Sequence, residues 1–131
     1  MHYISAAEIY SINEAVLGRE PSVRDRRLLQ AAVVRPFQQA FGQEAYPSIP
    51  EKAAALLHAL AHDHPFADGY KRTAREAVTR FLEGNGYRAT WDDEEAYAFI
   101  LRIARGDARL PEITDWMNAH TTPCDDNKIS D

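Results

Sequence analysis

The sequence predicts an all-α fold, and three observations carry that prediction. Capping boxes open helical segments, apolar residues recur at helical spacing, and glycine or proline stands where those runs stop. About five or six helices account for most of the chain on this reading. Ser5 and Glu8 form the first box, and Ile9, Ile12 and Val16 then follow on one face until Gly18. Ser22 restarts the chain, with Val23, Leu28, Leu29, Ala32 and Val33 marking a second helix that Pro36 should end. Residues 36–50 read as an irregular connection carrying Phe37, Phe41 and Tyr46, which suit a core or lid role better than a partner surface. Ser48 and Glu51 make a second box, Pro50 fits a first helical turn, and Ala53, Leu56, Leu57 and Leu60 line a helix reaching about His62.

After a loop over 64–69, Ala74, Ala77, Val78, Phe81 and Leu82 describe the next helix. Asn85 and Gly86 should stop it, because both residue types tolerate left-handed backbone. Asp92 or Asp93 caps a helix with Ala96, Phe99, Ile100 and Ile103, and Pro111 opens the last, with Ile113, Trp116 and Met117 turned inward. Residues 1–4 and 87–90 could pair as short strands. The expected organisation is one compact helical bundle over 1–120 and a polar, flexible tail over 121–131.

Composition narrows the function. The 131 residues are 45% hydrophobic and 27% charged, ordinary values for one globular domain. A formal net charge of -5 offers no general field for nucleic acid, so no direct nucleic-acid binding is expected. No apolar run reaches membrane-spanning length, and the N-terminus lacks a basic segment leading into a signal-like core. The single cysteine, Cys124, excludes an intrachain disulfide and suits a reducing cytoplasm, the expected location.

The chemistry concentrates in one stretch, HALAHDHPFADGYKRTAR, over 58–75. Three readings are open on the residues alone. His58 and His62 lie four apart on a helix, with His64 nearby, a spacing that could share a transition metal. No glutamate sits between the pair as a zinc-protease motif requires. Alternatively, the loop ending in Asp68-Gly69 delivers its chain straight into a helix whose first N–H groups form an anion site. Lys71, Arg72 and Arg75 oppose the helix dipole there, which suggests an external anion. Asp68 could hold Mg²⁺ against phosphate oxygens, and His64 could accept a proton from a hydroxyl. The third reading is a solvated, salt-bridged helix start.

HPFADGYKRTAR resembles the signature of the Fic/Doc family, written HxFx(D/E)GNGRxxR in Fic enzymes and HxFx(D/N)(A/G)NKR in Doc toxins. The segments ISAAEIYSINEAV, PFQQAFGQEAYPSIPEKAAALL and RFLEGNGY are similar to death-on-curing (Doc) proteins as well, so the resemblance spans roughly residues 3 to 120. It implies a helical bundle of the Fic/Doc type. Carried over residue by residue, it makes His64 the catalytic base, Asp68 the magnesium ligand and Phe66 the apolar anchor of the loop. Gly69 and the following amides, including that of Tyr70, become the anion hole, with Lys71, Arg72 and Arg75 also at the nucleotide.

Lys71 stands where Doc toxins carry lysine and Fic enzymes a second glycine. Lysine fills the room that AMP transfer needs, and Doc-type members instead pass the terminal phosphate to a threonine of elongation factor Tu. The resemblance thus implies a toxin of a toxin–antitoxin pair that uses ATP and Mg²⁺, with a Phd-like antitoxin as partner. The self-inhibitory Ser/Thr-x-x-x-Glu-Gly/Asn pattern of Fic proteins stops short here, because Glu95 follows Thr90–Glu94. Arg75 matches the second arginine of Fic enzymes and keeps AMP transfer as an alternative. Tyr70 matches neither pattern, since both carry asparagine there. A phenol is larger and differently placed than an amide, which admits a third possibility, an impaired member that binds nucleotide or antitoxin without turnover.

Overall fold

The structure, a computed structural model, describes residues 1–124. Its helices are α1 (Ala6–Leu17), α2 (Arg26–Val34), α3 (Ile49–His62), α4 (Tyr70–Gly84), α5 (Asp93–Ala104) and α6 (Leu110–Ala119). Two short antiparallel pairs complete it: β1 (Gln39–Ala40) with β2 (Gln43–Glu44), and β3 (Tyr87–Ala89) with β4 (Thr121–Pro123). The all-α expectation holds. Among the described residues no helix is long and apolar enough to cross a membrane.

Both capping boxes read from the sequence are formed: Ser5 with Glu8 opens α1, and Ser48 with Glu51 opens α3. A third, Asp92 with Glu95, opens α5, so the Glu95 that interrupts the inhibitory pattern satisfies a backbone donor instead. Helix α3 is the hub, packed against α2, α4, α5 and α6. Its sequence suggests one apolar face, yet residues all round it are buried, including Ala54, Ala55, Ala59 and Ala61. Alanines add little girth, so neighbours can close on every side. Its own Leu56 and Leu60, with Phe81, Ile103 and Met117 from neighbouring helices, fill the core, each large apolar side chain worth roughly 1.5–3 kcal/mol on burial.

Four expectations about the connections need correction. Helix α2 starts at Arg26 rather than Ser22, because the Asp25 side chain caps it by accepting from the Arg27 N–H. Residues 36–50 are more ordered than an irregular loop. They hold a 3₁₀ turn (Arg35–Phe37) and the β1–β2 hairpin, whose tip places Phe41 and Gly42 at φ 54° and 76°. Phe41 is fully exposed, whereas Phe37 packs against Tyr3 and Phe81. The buried ammonium of Lys52 ties this hairpin to α3 by donating to Glu44 Oε1 (2.8 Å) and the Tyr46 carbonyl.

The N-terminus forms no strand with 87–90. Asn85 occupies its backbone instead, accepting from His2 N–H and donating to the His2 and Phe81 carbonyls. Only Gly86 takes left-handed backbone at that helix end (φ 82°), so Asn85 acts through its side chain. The partner of β3 is β4, from the segment expected to be tail, and the Thr90 N–H to His120 carbonyl bond of 2.8 Å continues the pairing. The rest of the expected tail, 125–131, lies outside the described residues.

Candidate functional site

The motif loop leaves the C-terminal end of α3 and enters α4, so the hub helix positions it from one side. Phe66, 1% exposed, roots it in the hydrophobic core. The segment Ser22–Arg24 grips its other edge. Val23 and Phe66 form an antiparallel bridge in which Arg24 N–H donates to the Pro65 carbonyl (2.7 Å) and Ala67 N–H to the Ser22 carbonyl (2.9 Å).

His64 sits at the tightest point, with φ 52°. Left-handed backbone is uncommon for a residue with a side chain, although histidine is among the types that adopt it more readily. Its imidazole is half-buried and lies 4.1 Å, centroid to centroid, from the Tyr70 ring. Burial and the positive charges of Arg24 and His62 push its pKa below the ordinary value, against the raising influence of Asp63. The imidazole is therefore neutral near pH 7, the state in which it can accept a proton.

Asp68 and Gly69 lead into α4. No side chain caps this helix, unlike α1, α2, α3 and α5, and the N–H groups of Tyr70, Lys71 and Arg72 have no acceptor among the described residues. Such a terminus presents unsatisfied donors and the positive end of a helix dipole to an anion. Gly69 is required here for a reason the sequence did not reveal. Its φ is 71°, and a Cβ would lie 3.0 Å from Leu17 Cδ2 and 3.2 Å from Val16 Cγ1, so α1 packs on it directly. Asn13, buried within α1, donates to the Asp68 carbonyl (2.9 Å) and Thr73 Oγ1 (3.0 Å) and fixes the helix start from below.

The Asp68 carboxylate is exposed and pairs with Arg19 at 3.1 Å. Among the described residues no three His, Cys, Asp or Glu side chains converge on a possible ion. One accessible carboxylate beside an anion site fits magnesium, which commonly takes one or two carboxylates and completes its shell with phosphate oxygens and water. The histidines do not share a metal-like centre. His58 and His62 stack in parallel (5.0 Å, 9°), His62 Nδ1 lies 3.1 Å from Asp63 Oδ1, and the His64 ring faces Tyr70.

The cations diverge. Arg72 and Arg75 border a groove of about 190 Å³ between α1 and α4 that also includes Arg80 and Glu76. Arg75 turns toward α5, donating to Tyr97 Oη at 3.0 Å and pairing with Asp93 at 3.4 Å. The structure thus sets the His64 ring against Tyr70 at the start of α4, with Asp68 and Gly69 immediately before that helix, while Arg75 is engaged with α5. Sequence reading missed Arg19, Arg24 and Asn13. Of these only Asn13 carried a signal, a polar residue next to Ile12 on the apolar face of α1.

Comparison with known proteins agrees on one family. The sequence profile described as the Fic/DOC family matches residues 3–82. A protein named Toxin Doc from Mycolicibacterium smegmatis is 39% identical over 113 residues, which span 85% of this chain and 87% of that protein. Protein kinase doc of Escherichia phage P1 is 28% identical over 118 residues, spanning 88% and 92% respectively.

Proposed function

The chain belongs to the Fic/Doc family, and from that premise we propose that it is a Doc-like toxin enzyme that transfers the terminal phosphate of Mg-ATP to a protein hydroxyl. The observation that carries the reading is the placement of a neutral imidazole, His64, on the same loop as the uncapped start of α4. The free α4 amides would hold phosphate oxygens, with Lys71 and Arg72 supplying charge from the first helical turn. His64 would take the proton of the attacking hydroxyl as its oxygen bonds to the γ-phosphorus and the bond from that phosphorus to the oxygen leaving with ADP breaks. Asp68 would hold magnesium, which neutralises phosphate charge when bound. By analogy with the family the acceptor is a threonine of elongation factor Tu, the partner a Phd-like antitoxin and the location the cytoplasm, while the relative named Toxin Doc supports the reading as a toxin.

The engagement of Arg75 by Tyr97 and Asp93 weighs against AMP transfer, which would use that arginine at the nucleotide. A lysate supplied with the protein and Mg-ATP labelled on either the α- or the γ-phosphate separates the reactions. Label should enter protein from the γ-position only, whereas transfer from the α-position would establish AMP transfer instead. A second reading rests on Tyr70, whose ring covers His64 at 4.1 Å and favours a member with reduced turnover. On that reading Tyr70→Asn gains transfer activity, and an unchanged rate removes Tyr70 as the obstacle.

The pH profile follows from the same site. Because His64 must be neutral to accept a proton, transfer rises with pH as the imidazole deprotonates. Its lowered pKa places the acid limb below the ordinary imidazole value of about 6.5. An acid limb at or above that value would overturn the lowered His64 pKa.

A further inference from the structure

We infer that Arg24 is a positioning residue for His64, a clamp that holds the motif loop in its left-handed turn and the base in its place. The inference rests on the reading of His64 as base, but the clamp itself is a matter of geometry.

Arg24 meets the loop at three successive residues. Its Nε donates to the His64 carbonyl at 2.8 Å, its Nη2 to the Asp63 carbonyl at 2.6 Å, and its backbone N–H to the Pro65 carbonyl at 2.7 Å. Two of these come from one planar fork, so the guanidinium fixes two consecutive carbonyls in a single relative orientation. That orientation belongs to the unusual φ of 52° at His64. Sparsely populated backbone of this kind persists only where surrounding contacts over-determine it. The second bond of the Val23–Phe66 bridge, from the Ala67 N–H to the Ser22 carbonyl, adds a fourth constraint immediately beside the clamp.

An exposed arginine making a single bond to a carbonyl would be an ordinary surface contact, since water competes for it. Three bonds from one residue to adjacent carbonyls, around a strained histidine, form a support. Arg24 also touches the imidazole electrostatically, opposing its protonation alongside His62, while Asp63 favours it. Geometry and charge therefore act in the same direction, toward a neutral base held at a set position. Lysine would retain the charge and lose the fork; glutamine would lose both. Arg24 does not contact the α4 amides, so its loss should affect the chemical step more than nucleotide binding.

The test uses R24Q and R24K in the full chain, with the His64 imidazole titrated by NMR and amide exchange followed at Ala67, whose N–H bonds Ser22. In R24Q the imidazole pKa should rise and Ala67 exchange should quicken by about tenfold or more. In R24K the pKa should stay near that of the parent while exchange still quickens. Phosphate transfer should fall about ten- to a hundredfold in kcat for both, with KM for ATP little changed. Unchanged pKa and unchanged exchange in R24Q would overturn the clamp. A fall in thermal stability with neither readout moved would likewise reduce Arg24 to a structural contact. If the parent protein transfers no phosphate, the proposed reaction fails, and the two NMR readouts still decide the clamp.

Discussion

Replacing His64 with alanine is expected to lower transfer to protein by about 10²–10⁴-fold, the usual contribution of a positioned general base. The loss should appear in kcat, because the unsatisfied amides of α4, which would hold the phosphates on the proposed reading, remain in place. The backbone at His64 has φ 52°, a conformation alanine adopts with more strain than histidine or asparagine. His64→Asn is therefore the better companion: it tolerates left-handed backbone and cannot act as a base near neutral pH. Thermal unfolding of the asparagine variant should match the parent, while its transfer falls as far as that of the alanine variant. Undiminished transfer in either variant would exclude His64 as the base.

Phe66→Ala should be the most damaging single change to the loop. Phe66 is 1% exposed and belongs to the central core, so truncation leaves a cavity under the motif. The cost is about 3–5 kcal/mol, a large share of the roughly 5–15 kcal/mol typical of a whole domain. A fall in Tm of about 10–20 °C is expected for a chain of this size. Phe66→Leu keeps most of the volume and should lose only a fraction of that. A shift of less than about 2 °C for the alanine variant would mean that the ring does not anchor the loop. Transfer by the leucine variant then reports what looseness at the anchor does to the chemistry while the fold is retained.

Helix positions were legible because their causes are local. Ser5 with Glu8 and Ser48 with Glu51 can be read as caps from three-residue spacings, and both are formed. The run from Ala74 to Leu82 declares its inward face by period alone, and Ala74, Ala77, Val78, Phe81 and Leu82 are all buried. The concentration of His64, Asp68 and Gly69 before a helix start is also a local pattern. Two errors were local, the Asp25 cap of α2 and the β1–β2 hairpin, and two came where partners are distant. Residues 121–123 look like polar tail until β3 supplies an edge for them, and the N-terminus looks like a strand until Asn85 occupies its backbone.

Local spacing along the chain therefore determined the all-α class, the helix caps and the membership of the motif, since each depends on residues within a turn or two of one another. Tertiary structure alone decided the rest. It set Arg24 across two carbonyls of the motif loop, 39 and 40 residues away in sequence, and Asn13 beneath the start of α4. It drew Arg75 to Tyr97 and away from the loop, and laid the Tyr70 ring against His64. Contacts of that kind follow from how helices pack in space, and neither residue type nor spacing along the chain encodes which distant carbonyl, carboxylate or ring a long side chain will meet.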